Sequence, residues 1–497
     1  MLWLYLVQAP LAYFYSFFTF KYLPLRYRYS AYILREPFQP TDMKKPYLLL
    51  FFFLLTLSVT AQNPVDSRSR EIVFRGVHVI PMEKEQVLEN QVVVVKNGKI
   101  TAMGSAGKVK YGKDALVVDA KGKYLMPGLA EMHAHVPPVD DMEPMKEVLQ
   151  LFTLHGITTI RGMLGHPLHL ELRDQLQKGQ LLGPRFYTSG PSLNGNSVKT
   201  PEAGAEMVRQ QKQAGYDFLK LHPGLSPESF AAISKTANEL KMPFAGHVSY
   251  DVGVWRAIEA GYASIDHMDG FIESLVPNLE AIPEQEAGLF AMYISDKADT
   301  TRIPKLMQAL RENNIWVVPT QALAERWMSP AESPEVLGQK PEMVYMNPKT
   351  VQNWVATKQK LQANPQYDPA AVTRYVALRR KLIKDCQENG VGLLLGSDAP
   401  QVFNVPGIST HQELQYLVDA GLTPYQALRT GTVNTGKYFN RADLGVIKVG
   451  AVADLILLNG NPLQDISQTR NIAGVVTGSV YLPQAYIEQE LKKLEKR

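Results

Sequence analysis

His133 and His135 stand two residues apart in Gly128-Leu-Ala-Glu-Met-His-Ala-His135, and they open an ordered series of side chains suited to metal: Lys220, His247, His267 and Asp398 follow. In an extended strand successive side chains face opposite sides, so a His-x-His pair sends both imidazoles the same way, where neutral nitrogens can hold one cation. That spacing alone is weak; the full set is not. Six groups of these types suit two divalent cations lying close together, and imidazole nitrogen with carboxylate oxygen favours zinc while leaving manganese, iron or cobalt open. Water held between two such cations is a nucleophile near neutral pH, because zinc can lower the pKa of bound water from ~15.7 to about 7. Lys220 is the odd member, since an ammonium has no lone pair and repels cations. A plain surface lysine beside His222 is the alternative reading of Lys-Leu-His222.

Each later member lies at or just past the C-terminal end of a short apolar run: Lys220 ends Tyr-Asp-Phe-Leu-Lys, His247 follows Pro-Phe-Ala-Gly, His267 follows Ala-Ser-Ile-Asp, and Asp398 follows Leu-Leu-Leu-Gly-Ser. A (β/α)8 TIM barrel keeps its chemistry at that end of its strands. Over residues 125–440 such runs alternate with helical patterns at 203–214, 227–240 and 423–438, which predicts parallel strands with crossover helices, an α/β class. Before them, residues 71–118 alternate apolar and polar positions between Asn-Gly and Gly-Lys turns, the pattern of antiparallel strands. Matching stretches return at 453–458 and 471–476, so both chain ends are expected to pair into one small β-sandwich, residues 62–124 with 441–497, ending in a charged helical tail. Residues 274–301 and 325–373 are longer, more polar and punctuated by proline, as lids or solvated insertions would be.

Four segments carry a resemblance: 122–135 with Met-Pro-Gly-Leu-Ala-Glu-Met-His-Ala-His, 156–161, Gly396-Ser-Asp-Ala-Pro400, and 444–455. They resemble the amidohydrolase superfamily, and the likeness extends from about Glu71 to the C-terminus. Asp217-Phe-Leu-Lys-Leu-His222 and the later Gly-His-Val are most similar to its binuclear branch, which contains imidazolonepropionase-like proteins and prolidase-type dipeptidases. The resemblance implies that His133, His135 and Asp398 hold the more buried metal and that His247 and His267 hold the other, with Lys220 bridging both as a carbamate. It also implies catalysis by a metal-bridging hydroxide, with Asp398 taking the proton and passing it to the leaving group. The expected reaction is cleavage of a C–N bond in an amide, cyclic amide or dipeptide. A lactonase or phosphotriesterase on the same metals is the alternative, because fold and metals do not decide the leaving group. A silent scaffold is the other, although it has no physical need for six ligand types at strand ends.

Substrate contacts are expected from Arg161, which could bind a carboxylate or pair with a neighbouring acid, from His222, and from His411 in a supporting or substrate role. His155 reads as a helix cap or packing residue, and His166 with His169 as a loop face.

At 497 residues and 45% hydrophobic the chain can bury a large core. A net charge of +4 without a basic block gives nucleic-acid binding no support and leaves a small molecule or dipeptide as the expected partner, with a homo-oligomer open. The single cysteine, Cys386, excludes an intrachain disulfide framework. Residues 43–61 read as a secretory signal: a lysine pair, a short apolar core and small residues before Gln62, too short to span a membrane. An exported protein, periplasmic or secreted, is expected. Residues 1–42 then read as an extension from an early start codon or as a membrane-associated aromatic arm.

Overall fold

The computed structural model describes residues 63–496, so the expected signal at 43–61, the extension before it and the mature start at Gln62 lie outside the described residues. Strands from both ends of the described chain form one nine-stranded sheet. Its order is Val65–Asp66, Val480–Pro483, Ile472–Thr477, Leu455–Leu458, Tyr124–Pro127, Ile72–Val79, Leu88–Lys96 and Lys99–Ser105, with Leu116–Asp119 paired alongside Ile72–Val79. The seam between the ends is antiparallel, running from Leu455 opposite Pro127 to Leu458 opposite Tyr124. Asn97 and Gly98 both take positive φ, 50° and 69°, which a two-residue hairpin loop between right-twisted strands requires. Ile72, Phe74, Val93, Leu125, Leu455 and Val476 meet in its core.

Past Gly128 the strands become parallel. Leu129–Ala134, Ile157–Gly162 and Arg185–Thr188 form one sheet, and Leu219–Leu221, Phe244–Gly246, Ser264–Asp266 and Trp316–Val318 another. Parallel bridges join Ser189 to Phe218 and Leu193 to Leu221, and further bridges take Val317 to Leu393 and Ala134 to Ala399. Helices including Met142–Leu154, Pro201–Ala214, Pro227–Glu239 and Pro369–Glu388 lie between the strands in sequence, giving an α/β architecture. The short strands are buried along nearly their whole length, as parallel strands covered on both faces must be. Thr200 and Ser226 each cap a helix that begins with proline, which fixes where these helices start.

The single helix expected over 423–438 is two, Pro424–Thr430 and Val433–Tyr438. At the break Thr430 and Gly431 turn their carbonyls to the backbone amides of Leu395 and Ala130. A β-carbon on Gly431 would lie 2.6 Å from the Leu395 side chain, so the close approach of helix to strand needs glycine there. Residues 325–373 contain the helices Pro334–Gly338 and Pro348–Gln362, whereas 274–301 is a chain of short turns. The tail is the helix Gln484–Leu494, which packs Ile487 and Leu494 near Leu151 and Leu154. Among the described residues no helix is long and apolar enough to cross a membrane.

Candidate metal centre

The C-terminal ends of the parallel strands carry the side chains singled out in the sequence. His133 lies in Leu129–Ala134 with His135 just beyond it, Lys220 is in Leu219–Leu221, His247 and His267 follow the ends of their strands, and Asp398 lies between the isolated bridge residues Leu393 and Ala399. Asp398 is the hub. One of its oxygens is 2.7 Å from His135 Nε2 and 3.5 Å from His133 Nε2, and the other is 3.8 Å from His267 Nδ1. Lys220 Nζ, fully buried, is 3.4 Å from His133 Nε2. The rings of His133 and His267 are 4.5 Å apart and those of His247 and His267 4.4 Å. Gly246 makes this proximity possible, since a β-carbon there would lie 2.7 Å from the Lys220 stem.

What the histidines do with their other nitrogen decides how they are aimed. His247 Nδ1 is 2.7 Å from Asp269 Oδ2, His267 Nδ1 is 2.9 Å from the Thr320 hydroxyl, and His133 Nδ1 is 2.9 Å from Asp266 Oδ2. For His247 and His267 the hydrogen-bonded oxygen holds the proton on Nδ1 and leaves Nε2 with its lone pair, the outer-shell arrangement of metal-binding histidines, while His133 Nδ1 lies close to Asp266 without a hydrogen bond of acceptable angle. Burial keeps His133, His247 and His267 well below the usual imidazole pKa, so they are neutral as ligands must be. Burial also brings Lys220 down to about 8, against the pull of Asp266 and Asp398.

His267 Nε2 is buried without a hydrogen-bond partner, and Asp398 Oδ1, although 2.7 Å from His135 Nε2, makes no hydrogen bond of acceptable angle. Orphaned polar atoms at one spot are costly unless something occupies it. Ligand atoms of His133, His267 and Asp398 lie within 4.8 Å of one another, so the donor set fits a divalent cation.

The supporting residues escaped the sequence reading. Asp266 directly precedes His267 and Asp269 follows two places later, so an acid flanking a ligand histidine was the available signal. Glu131, fully buried, collects four donors: the backbone amides of His133 and Ser397 and the hydroxyls of Ser397 and Thr410. It thereby ties the His133 strand to the loop that carries Asp398, while burial pushes its own pKa up to about 7.

The residues expected to meet substrate divide. His222 joins the cluster, its ring stacked 4.8 Å from His247. Arg161 is fully buried and donates to Met132 O, Ser264 Oγ, the Tyr438 hydroxyl and both oxygens of Asp266. Of its two sequence readings, the geometry favours pairing with an acid, because no N–H faces open space. His411 lies outside the cluster, between Thr469 Oγ1 at 3.0 Å and the His155 carbonyl at 2.8 Å. His155 ends its helix with Nδ1 on Leu151 O, and His169, buried in Leu168–Gln177, contacts Pro137 O at 3.3 Å.

The Amidohydrolase family profile matches residues 124–480, most of the chain. The chain belongs to this family. It is accordingly a hydrolase acting on carbon–nitrogen bonds. Ochratoxinase from Aspergillus niger is 23% identical over 470 residues, 81% of this amidohydrolase and 83% of the relative. An adenine deaminase from Ruegeria sp. (strain TM1040) is 27% identical over 251 residues, 47% of this chain and only 40% of that protein's length. Among solved structures, a Xaa-Pro dipeptidase with bound methionine in its active site shares the fold with a TM-score of 0.60 at 20% identity, covering 83% of this amidohydrolase and all of that chain.

Proposed function

We propose that this amidohydrolase uses two divalent cations, most simply zinc, to cleave the amide bond of a dipeptide, cyclic amide or related small molecule. One observation carries the reading: three buried histidines have an oxygen beside Nδ1 and converge, with Asp398 and a buried Lys220, on orphaned ligand atoms. His133, His135 and Asp398 would hold one cation and His247 and His267 the other, with Lys220 between them as a carbamate. A lysine amine brought down to about 8 is partly neutral at physiological pH, the form that adds to carbon dioxide. Bound cations supply Lewis acidity and bring the pKa of water near neutral.

Asp398 performs the proton work. Its carboxylate takes a proton from the attacking water and delivers it to the departing nitrogen, which must leave as an amine. Glu131 holds the flanking Ser397, so that this carboxylate keeps its aim. The scaffold we infer is a closed eight-stranded barrel with a β-sandwich drawn from both chain ends. Parallel bridges at Ser189–Phe218, Val317–Leu393 and Ala134–Ala399 support the closure.

The test is Asp398→Asn, assayed on a panel of dipeptides and cyclic amides that the wild type turns over. We expect kcat to fall by about 10²–10⁴ with the fold retained. Turnover within a factor of two of wild type removes Asp398 as the proton carrier.

A further inference from the structure

The turn-rich insertion of residues 274–301 does more than cover the barrel end. Its two ends are joined by Asp299 N donating to Leu275 O at 2.8 Å, and it is docked at two points: the Tyr250 hydroxyl donates to Ile282 O at 2.9 Å, and Arg374 pairs with Asp296 at 2.6 Å. Ala287, Leu289, Ala291 and Met292 are buried in the main core. Phe290, in their midst, is only half-buried. It adopts φ 49° and ψ 38°, and Ala291 follows at φ 59°, so two consecutive residues with side chains occupy the left-handed region. L-residues enter that region at a cost, which the surrounding packing must offset.

The consequence is where the ring goes. It lies 5.1 Å from the His267 ring, tilted by 24°, and 6.2 Å from the His247 ring, tilted by 9°. His222 stacks 4.8 Å from His247, so the aromatic surface extends beyond the two ligand rings. A phenyl ring has no lone pair to ligate a metal and no proton to transfer. Beside the reacting centre it can exclude water and offer an apolar face to whatever lies against it.

We infer that Phe290 is a specificity-determining residue: its ring forms the wall of the substrate pocket over His267 and His247, and selects amides whose group next to the scissile bond is apolar, aromatic above all. This inference rests on the metal-dependent amidohydrolase reading, so its test must separate the two. Acetohydroxamate and benzohydroxamate share a metal-chelating head and differ in a methyl against a phenyl group. Calorimetric titration of the full-length, zinc-loaded protein with each measures what the phenyl group adds.

Wild type is expected to bind benzohydroxamate about tenfold more tightly, the effect of burying one ring against an apolar face. In Phe290→Ala the preference should fall to twofold or less, with acetohydroxamate affinity and zinc content unchanged. Phe290→Leu keeps bulk and guards against loss of fold; its preference should fall between the two at a wild-type melting temperature. A preference that survives both substitutions overturns the inference, as does an equal loss of affinity for both ligands, which would make Phe290 a support of the metal centre. If neither hydroxamate binds zinc-loaded wild type, the amidohydrolase chemistry proposed for this site fails first and the specificity inference with it.

Discussion

Replacing Arg161 by methionine separates the two roles its position allowed. Methionine keeps much of the aliphatic stem but none of the donors now spent on Met132 O at 2.7 Å, Ser264 Oγ at 2.8 Å, the Tyr438 hydroxyl at 2.7 Å and Asp266 at 3.1 and 3.2 Å. The Asp266 carboxylate, itself fully buried, would keep only Ser264 Oγ at 2.8 Å and His133 Nδ1 at 2.9 Å. Removing one member of a buried ion pair costs about 3–5 kcal/mol, a large fraction of the ~5–15 kcal/mol that holds a typical domain together. Neutralising the partner should recover part of that loss, so in the Asp266→Asn background Arg161→Met should cost about 2 kcal/mol less. Denaturant melts of the four proteins in this cycle give the coupling. A substrate-binding arginine behaves differently: stability stays within about 0.5 kcal/mol of wild type and KM rises. That outcome would refute the assignment of Arg161 as an internal clamp.

Asp269→Asn should weaken metal binding by about 10–100-fold in a chelator competition, because the amide no longer holds His247 as the carboxylate does; unchanged affinity would remove Asp269 from the centre. His411 is held by burial at about 3 instead of 6.5, so the unfolded chain takes its proton first. Its contribution is complete above pH 6.5 and is lost as pH falls, by about 2 kcal/mol at pH 5, and His411→Gln should flatten that part of the stability profile. An identical acid profile in the variant would contradict the assignment. The export signal read in residues 43–61 predicts a mature chain beginning at Gln62, which intact mass spectrometry of protein secreted by the native host checks directly. A mass that includes Met1 would end that reading.

Much of the site was legible because its residues are chemically rare and fall at the ends of apolar runs. His133, Lys220, His247 and His267 converge from parallel strands, whose ends carry the chemistry in such folds, and Asp398 joins them beside the parallel bridge of Ala399 to Ala134. Their supports were not legible. Arg161 and Asp266 are 105 residues apart, and Glu131 and Ser397 are 266 apart, and nothing in either local sequence names the other. Alternation found strands of the nine-stranded sheet within 71–118, 453–458 and 471–476 but not Val65–Asp66, Tyr124–Pro127 or Val480–Pro483, and three-residue strands such as Phe244–Gly246 are too short to show a period and were visible only as apolar runs before a ligand. The break at Gly431 was hidden for a different reason: the helical pattern continues through it, and only the approach of Leu395 and Ala130 requires the turn.

The central claim is that this strand-end cluster holds two cations. Elemental analysis of the purified chain, followed by chelation and titration with zinc, should return close to two equivalents per chain in wild type and one or fewer in Lys220→Ala at an unchanged circular dichroism spectrum. A wild type that binds no divalent metal under either condition would contradict the account.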